Sequence, residues 1–313
     1  MKTRAQLLKG IYIFIFSILL FSCEKDNKFV FSETVISREE SKIEYGDKIL
    51  AFTDLFQSKL EDTTYTLYEG VDMTKVKLLN TNNEPLKVYF VTVNLAYPGI
   101  TMEAAMPNNQ QVFGRQKVRD MITHKNAALS GQEVVVALNG DYWDTSTNGE
   151  PLGPVIMNTN VVKPFPSGTY YFLSVLKNNT AEIGNSTLFT ALTYQMKETL
   201  GGRYLLVSEG LDRSASLNKN IEPRTAVGLL SKSKVVFMVV DGRKVNHSVG
   251  ISMQDMAKIF MAIGAKTAIN LDGGGSSTLV ERQTSGDYLT VNQPTDNPER
   301  SVANAWTIIR GKN

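Results

Sequence analysis

The stretch Thr267–Thr278 has the residue types of a ligand-binding loop. A short apolar run, Thr267–Leu271, is followed by Asp272, three consecutive glycines and three hydroxyl side chains. The run predicts a buried strand, and glycines permit the positive φ and the close backbone approach that a ligand requires. Successive N–H groups there could form an anion-binding nest, and Asp272 could act as a general acid, general base or metal ligand. A purely structural turn is the alternative, because glycine-rich turns after strands are common.

Other polar side chains also stand at the ends of predicted buried strands. They are Asn139, Asp141, Arg224, Asp241 and Asn270. If these strand ends share one edge of a sheet, they form a cleft with a guanidinium, amides and several acids. Arg224 would pair with a phosphate or carboxylate, and Asp241 or Asp272 would protonate a leaving oxygen or activate water. The chemistry indicated is hydrolysis at an anionic centre, and two carboxylates would also suit glycoside cleavage.

Two further residues each admit two interpretations. Trp143 closely follows Asn139 and Asp141, so it could stack on a sugar face or fill the core beside a hairpin turn. His247 lies in the loop after Asp241-Gly242-Arg243, where it could donate a proton or be a solvated loop histidine.

The spacing of apolar residues predicts the elements that position this chemistry. The main predicted strands are Lys87–Leu95, Glu133–Leu138, Arg203–Val207, Thr225–Leu230, Val235–Val240 and Thr267–Leu271. Helices are predicted over Arg115–Ser130 and between a Ser252 cap and Gly264. The strand, helix and strand that end at Leu271 predict a crossover packed on a sheet. The predicted fold class is therefore α+β, a mixed β-sheet core with packed helices in a single catalytic domain.

The N-terminal residues predict export and a lipid anchor. Three basic residues precede the apolar run Ile11–Leu20, whose length is about half of the roughly twenty residues that a membrane span needs. Leu20-Phe21-Ser22-Cys23 resembles the bacterial lipobox, although Phe21 is bulky, and Cys23 is the only cysteine. An incidental thiol after a simple signal sequence is the alternative. We predict a lipoprotein signal peptide at 1–22, a tether and N-terminal extension at 23–63, and the catalytic domain at 64–313. The protein would be lipid-anchored in the bacterial cell envelope, in the periplasm or at the cell surface.

Charge and motif content exclude several function classes. Removal of residues 1–22 removes three basic residues and no acidic one, which leaves 30 basic against 31 acidic residues. Without a basic surplus or a basic run, general nucleic-acid binding is not expected. The sequence has no Cys or His cluster for zinc, no Walker loop, no nucleophile elbow and no Rossmann fingerprint. A divalent cation held by Asp141, Asp241 and Asp272 is the one cofactor that the acids suggest.

Several motifs, taken in order, resemble those of the phosphodiester glycosidases. They are Asn139-Gly140, Arg224-Thr225-Ala226-Val227-Gly228, Asp241-Gly242-Arg243, Gly264-Ala265, Asn270–Thr278 and Glu299–Ala305. This family includes the mannose 6-phosphate uncovering enzyme and bacterial proteins linked to exopolysaccharides. The resemblance covers roughly residues 64–310 and implies an α+β domain that hydrolyses the glycosidic bond of a sugar-1-phosphodiester. The products would be free sugar and a phosphomonoester on the partner.

The resemblance also implies a set of site residues. The matching positions are Asn139, Arg224, Asp241, Arg243, Asn270, Asp272, Gly273, Gly274, Gly275, Ser276, Ser277, Arg300 and Asn304. We expect Arg224 and the glycine loop to bind the phosphate and Asp272 to be the principal acid or base. The asparagines would contact sugar hydroxyls and set the geometry. Asp141 departs from the family, which more often has a second glycine near this point, so it could alter the substrate, bind a metal or cap a turn.

Three functional hypotheses therefore stand beside one another. The first is a phosphodiester glycosidase acting on a phosphorylated cell-surface or host glycan. The second is a glycan-binding or exopolysaccharide-assembly lipoprotein without turnover. The third is a metal-dependent phosphodiesterase that uses Asp141, Asp241 and Asp272.

Overall fold

The fold is built mainly from β-strands. The computed structural model describes residues 44–311, which contain eighteen strands and four α-helices. The strands are β1 (Phe56–Tyr68), β2 (Val71–Asn80), β3 (Pro85–Asn94), β4 (Ile100–Ala105), β5 (Gln132–Asn139), β6 (Val155–Met157), β7 (Asn160–Lys163), β8 (Tyr171–Leu176), β9 (Ala181–Gly184), β10 (Met196–Gly202), β11 (Tyr204–Ser208), β12 (Leu211–Asp212), β13 (Arg224–Ser231), β14 (Lys234–Val240), β15 (Thr267–Asn270), β16 (Leu279–Arg282), β17 (Tyr288–Thr290) and β18 (Ala305–Gly311). The helices are α1 (Tyr45–Phe52), α2 (Val118–Ala128), α3 (Ser186–Leu192) and α4 (Met253–Ala262).

These strands form three sheets. The first sheet has the order β1-β2-β3-β14-β13-β15-β11-β12, the second β7-β6-β10-β8-β9, and the third β17-β16-β5-β18-β4. Neighbouring strands are antiparallel in every one of these pairings. The prediction of a sheet that mixes parallel and antiparallel strands is therefore wrong for the described strands. The crossover through α4 does join β14 to β15, but β13 lies between them and runs antiparallel to both.

β14 shows how the first sheet divides the core. Alternate residues from Val235 to Val239 join the apolar cluster shared with the other two sheets, whereas those from Val236 to Val240 join the cluster shared with α1 and α4. Successive strand side chains point to opposite faces, and here both faces are covered. This is why the sequence of β14 is an unbroken apolar run. α2 packs against the third sheet, on the face opposite to the one that joins the cluster shared by the three sheets.

The end of α4 brings the chain into the glycine loop. Ser252 Oγ accepts the backbone N–H of Asp255 at 3.1 Å and donates to its Oδ2 at 2.7 Å. Gly264, with φ of 89°, follows the helix in the left-handed region that glycine tolerates. The predicted cap and the predicted end of this helix are confirmed. β15 follows directly and ends at Asn270, two residues before Asp272.

The folded region begins earlier than the sequence predicted. α1 and the first half of β1 both precede residue 64, where the domain was expected to begin. β1 is rich in polar residues and so lacks an apolar signal, yet it pairs with β2 along its length and its Thr64 hydroxyl contacts that of Thr74 at 2.8 Å. The predicted signal peptide and Cys23 lie outside the described residues. No helix within 44–311 is long and apolar enough to cross a membrane.

The sequence also missed α3 and β10. β10 carries Glu198 in its interior and ends in two glycines, which hides it from apolar periodicity. Glu198 is nevertheless fully buried, and its carboxylate accepts N–H groups from Asn158 and Ala104 at 3.1 and 3.2 Å. Tertiary hydrogen bonds therefore stabilise a strand that local propensity does not predict.

Candidate active site

Polar strand ends from two sheets meet at one place. Arg224 begins β13, and Asp241 and Asn270 lie at the ends of its two neighbours, β14 and β15. Asn139 ends β5 in the third sheet and reaches the same place, where its Nδ2 donates to the carbonyl of Asp272 at 2.6 Å. The structure therefore brings these five residues together.

Asn139 holds the glycine loop in place. It is fully buried, and its Oδ1 accepts Thr225 Oγ1 at 2.9 Å and the N–H of Thr278 at 3.1 Å. Its Nδ2 is already bonded to the loop at Asp272. Because both ends of the amide are engaged, the geometry suits a positioning role better than the expected contact with a sugar hydroxyl.

The glycine loop forms a short 3-10 turn at Gly274–Ser276 rather than an open nest. Gly274 has φ of 60°, and its N–H donates to the carbonyl of Pro223 at 2.8 Å. The N–H groups of Ser276 and Ser277 donate to the carbonyls of Gly273 and Gly274, each at 3.2 Å. These three N–H groups already donate to backbone carbonyls, so the anion nest that we expected from them is not formed.

Asp272 is a partly exposed acid at the start of this loop. Its Oδ1 accepts the N–H of Gly273 at 2.9 Å. Burial raises the pKa of Asp272 to about 6, against the lowering effects of the Ser276 hydroxyl, the Gly273 N–H and the charge of Arg300. A carboxyl group that titrates near neutral pH can serve as a general base or a general acid.

Asp141 is a second acid near Asp272, and it is almost completely buried. Its Oδ2 accepts the N–H of Gly153 at 2.6 Å, and a Cβ added at Gly153 or Gly201 would collide with the carboxylate. Burial raises the pKa of Asp141 to about 7; the Gly153 N–H opposes the rise and the charge of Asp272 adds to it. Burial is thus the main reason why the pKa of each of these two acids lies far above its usual range.

Unpaired polar atoms are concentrated at this site. Among residues 44–311, nine buried side-chain atoms lack a hydrogen-bond partner within the protein, and five of them lie here: Asp141 Oδ1, Asn270 Oδ1, Ser277 Oγ, Thr278 Oγ1 and Asn304 Nδ2. Native proteins rarely leave such groups unpaired. Their concentration in one place makes it a candidate ligand site.

Arg224 is a buried guanidinium that no carboxylate pairs with in the described chain. Its Nε donates to the carbonyl of Ile251 at 3.3 Å and its Nη2 to that of Asn220 at 2.8 Å. Burial lowers the pKa of Arg224. A buried cation is stable only with a counter-ion or sufficient hydrogen bonds, so the arrangement favours an anionic ligand.

The other two predicted arginines have acid partners. Arg243, in the left-handed region with φ of 60°, pairs through Nε with Glu222 at 2.7 Å. Arg300 pairs with Asp296 at 2.8 Å, and its Nη1 donates to Ser276 Oγ at 3.5 Å. Arg300 therefore acts electrostatically on Asp272, whereas about half of the Arg243 side chain is exposed at the edge of the loop.

Asp241 is held by four donors and does not present a free carboxylate. Its Oδ2 contacts His247 Nε2 at 2.7 Å and accepts the Tyr89 hydroxyl at 3.3 Å. Its Oδ1 accepts Asn292 Nδ2 at 3.1 Å and the N–H of Gln293 at 2.9 Å. This geometry opposes the predicted acid–base role of Asp241 and suits a residue that positions His247. When Nε2 donates to Asp241, neutral His247 has its lone pair on Nδ1, where it could exchange a proton.

Sequence reasoning missed two residues of the site. Asn292 donates to Asp241 and to the carbonyl of Ser277 at 2.9 Å, so it ties the His247 pair to the glycine loop. Tyr142 contacts Asn270 Nδ2, and the charges of Asp272, Arg224 and Asp141 all act on its hydroxyl. Burial and then Asp272 raise the pKa of Tyr142. In the sequence, the only indication of a role for Asn292 is that it is the first residue of a polar loop.

The three acids suggested as cation ligands do not cluster. Within the described range, the only group of three metal-ligating side chains with mutually close atoms is Glu44, Asp47 and Asp62, and Lys59 forms ion pairs with all three. Asp241 is already engaged by its four donors. A cation held by Asp141 and Asp272 stays a prediction.

Comparisons with known proteins identify the family of this chain. A model of the phosphodiester glycosidase family matches residues 132–309, more than half of the chain. The SPbeta prophage-derived uncharacterized protein YomE of Bacillus subtilis is 26% identical over 295 residues, which is 90% of this chain and 42% of YomE. The N-acetylglucosamine-1-phosphodiester alpha-N-acetylglucosaminidase of Bos taurus is 41% identical over 68 residues, 22% of this chain and 12% of the bovine protein. The chain thus spans less than half the length of these curated relatives.

A solved structure shares the fold. The catalytic domain of the zebrafish N-acetylglucosamine-1-phosphodiester alpha-N-acetylglucosaminidase, auto-inhibited by its pro-peptide, matches with a TM-score of 0.59 and 18% identity. The match covers 79% of this chain and 87% of the zebrafish domain. The shared architecture is one domain of β-sheets with a few helices. Together with the family match, it shows that this chain belongs to the phosphodiester glycosidase family.

Proposed function

We propose that this protein is a hydrolase that cleaves the glycosidic bond of a sugar-1-phosphodiester, releasing free sugar and leaving a phosphomonoester on the partner. One observation carries the proposal. Asp141 and Asp272, two carboxyl groups with raised pKa values, act electrostatically on the Tyr142 hydroxyl together with Arg224, a buried cation that forms no ion pair within the described residues. Phosphodiester hydrolysis at a sugar requires both an anion contact and acid–base groups.

Arg224 supplies the anion contact. A guanidinium presents a planar fork that matches two phosphate oxygens, and the contact strengthens as negative charge develops on the leaving phosphate. The two carbonyls that hold Arg224 carry no formal charge, and Glu222 acts on its guanidinium without forming an ion pair with it. A phosphodiester would supply a paired negative charge, whereas a neutral glycoside would not.

The two carboxyl groups supply the proton transfers. Water attacks the anomeric carbon while the bond from that carbon to the phosphate oxygen breaks, and the electron pair leaves on this oxygen. Asp272, which is partly exposed and titrates at about 6, takes the proton of the water. Asp141 titrates at about 7 and offers its proton to the departing oxygen. A phosphomonoester has a second pKa near 6, so its departure depends less on Asp141 than the attack depends on Asp272.

The unpaired amide atoms suit the sugar. Asn270 Oδ1 and Asn304 Nδ2 are buried acceptor and donor atoms without protein partners in the described chain. Sugar hydroxyls both donate and accept hydrogen bonds, so they can satisfy both atoms. Asn304 is otherwise fixed, because its Oδ1 accepts the N–H of Asp141 at 2.8 Å.

The substrate is a phosphorylated glycan, and the protein acts in the cell envelope through a lipid on Cys23. The leader-like residues before Cys23 support this location. Labelled palmitate supplied to a bacterial host should enter the protein and be lost in Cys23→Ser. Equal labelling of the two proteins would contradict the anchor.

Product analysis tests the reaction. The full chain is incubated with a panel of sugar-1-phosphodiesters, and free sugar and sugar-1-phosphate are assayed separately, with and without a chelator. Free sugar that forms with wild type but not with Asp272→Asn supports the proposal. Sugar-1-phosphate formed in a chelator-sensitive reaction would instead show P–O cleavage by a metal-dependent phosphodiesterase. Glycan binding with no product would favour the non-catalytic lipoprotein.

A further inference from the structure

A cavity lies next to the end of β15, where β11 pairs with Asn270 of the proposed active site. Its volume is about 530 Å³, which is within the usual range of small-molecule sites. Its walls come from the segment 167–171 that leads into β8, from the beginning of β11 at 203–205, and from Arg213, Ser216 and Leu217 after β12. Two arginines line this cavity, and no acidic residue does.

Tyr204 connects this cavity to the active site. Tyr204 lies opposite Asn270 in the pairing of β11 with β15, and the N–H of Arg203 donates to the carbonyl of Asn270 at 3.0 Å. The Tyr204 ring meets the Tyr142 ring edge to face, with 6.4 Å between centroids. The charges of both proposed catalytic carboxyls act on the Tyr142 hydroxyl, so the Tyr142–Tyr204 contact links the proposed active site to this cavity.

The two arginines carry uncompensated charge. The Arg203 guanidinium lies over the rings of Tyr170 and Tyr204, at 5.3 and 5.7 Å from their centroids, and its Nη1 donates to the Tyr170 hydroxyl at 3.5 Å. Arg213 is exposed. Neither arginine forms an ion pair with any acid between residues 44 and 311. Aromatic stacking fixes the direction of an arginine fork without neutralising it, so the cavity attracts anions.

We propose that this cavity binds an anionic sugar unit on the far side of the scissile phosphodiester. Arg203 and Arg213 pair with the carboxylate or phosphate of that unit, and Tyr171 and Leu217 provide apolar surface for its ring. The assignment rests on the proposed function, because that function places the cleaved bond next to this cavity. It narrows the substrate class to acidic glycans, in which the group beyond the phosphate carries a charge of its own.

Binding to the full chain tests this assignment without turnover. The probes are methyl glucuronide, methyl glucoside 6-phosphate and neutral methyl glucoside, and their dissociation constants are measured by calorimetry at physiological salt. Wild type is compared with Arg213→Gln and with Lys219→Gln. Lys219 is an exposed residue in the same loop but outside the cavity lining, so its variant changes charge equally.

We expect a charged probe to bind more tightly than methyl glucoside and to lose about tenfold in affinity in Arg213→Gln, because a charge-assisted hydrogen bond is lost. Lys219→Gln should bind like wild type. Preference for the glucuronide identifies a carboxylate in the natural ligand, and preference for the 6-phosphate identifies a phosphate. Equal binding of charged and neutral probes, or charged-probe binding that Arg213→Gln leaves unchanged, would overturn the assignment.

The cavity assignment and the proposed reaction can be contradicted independently of each other. Arg213-dependent binding of a charged probe, with no hydrolysis of any sugar-1-phosphodiester, would keep the cavity assignment and remove the proposed reaction. Hydrolysis of the diesters, with no Arg213-dependent binding, would keep the reaction and remove the cavity assignment.

Discussion

Asp272 and Asp241 both follow apolar strands of the same sheet, yet the protein treats their carboxylates differently. Asp241 accepts hydrogen bonds from Tyr89, His247, Asn292 and the backbone of Gln293. Asp272 and its neighbour Asp141 are left with fewer donors, and burial raises the pKa values of both. A carboxylate with a full set of donors stabilises structure, whereas one that is buried with too few is ready to exchange a proton.

Replacing Asp272 should give the largest effect on activity. Asp272→Asn removes the proposed base while retaining size, so kcat should fall by about a thousandfold. At neutral pH the thermal midpoint should stay equal or increase, because the cost of burying the ionised carboxylate disappears. Asp54→Asn, at an exposed ion pair with Lys258, is the matched control and should retain activity. If Asp272→Asn keeps kcat within about threefold of wild type, or unfolds the protein, then Asp272 does not differ from Asp241 in the way proposed here.

Replacing Arg224 should separate activity from stability. Arg224→Met removes a buried cation that has no acid partner in the described chain, so kcat/KM for phosphodiesters should fall by about a hundredfold or more. The free energy of unfolding should stay equal or increase, because the cost of burying the charge disappears. Arg224→Lys retains the charge but not the fork, and it should recover only part of the activity. A marked decrease in thermal midpoint for Arg224→Met would show that the arginine is structural.

Replacing Asp241 should affect stability more than activity, which is the reverse of the result expected for Asp272. Asp241→Asn places an amide among four donors, so we expect a loss of about 3 kcal/mol in the free energy of unfolding. Activity should decrease less than in Asp272→Asn, through the altered position of His247. Urea unfolding and kcat are measured on the same preparations. A stable Asp241→Asn protein without activity would make Asp241 catalytic.

The pH dependence of kcat/KM tests the raised pKa values of Asp272 and Asp141. We expect kcat/KM to rise with pH until Asp272 ionises at about 6 and to fall as Asp141 ionises at about 7. Asp141→Asn should remove the alkaline limb of this profile. A profile without an alkaline limb in wild type would contradict the acid role of Asp141.

The same pKa values predict the pH dependence of stability. Both groups bind protons more tightly in the folded chain than in the unfolded chain, so the free energy of unfolding should decrease as pH rises from about 4 to 7. Asp141→Asn should therefore be more stable than wild type at pH above 7. Urea unfolding of both proteins at low and high pH measures this difference.

The smallest effect is expected at Arg243. This side chain is about half exposed and already pairs with Glu222, and exposed ion pairs contribute about 0–1 kcal/mol. Arg243→Gln should therefore change kcat/KM by less than about threefold. A loss as large as that of Arg224→Met would show that Arg243 contacts the phosphate.

Local signals predicted part of this molecule well. The glycine loop after β15 and the Ser252 cap of α4 depend on neighbouring residues, so the sequence contains their signals. The polar strand β1 and the charged strand β10 gave no such signal, because distant partners stabilise them. The difference between Asp241 and Asp272 was also hidden, since Asn292 and Tyr89, which complete the hydrogen bonds of Asp241, are far away in the chain.

Hydrolysis in water enriched in oxygen-18 tests the central claim most directly. A sugar-1-phosphodiester is hydrolysed by the full chain, and both products are analysed by mass spectrometry. Attack on the anomeric carbon predicts that the label enters the free sugar and that the phosphomonoester carries none. Label in the phosphate would show attack at phosphorus and would contradict the glycosidase account.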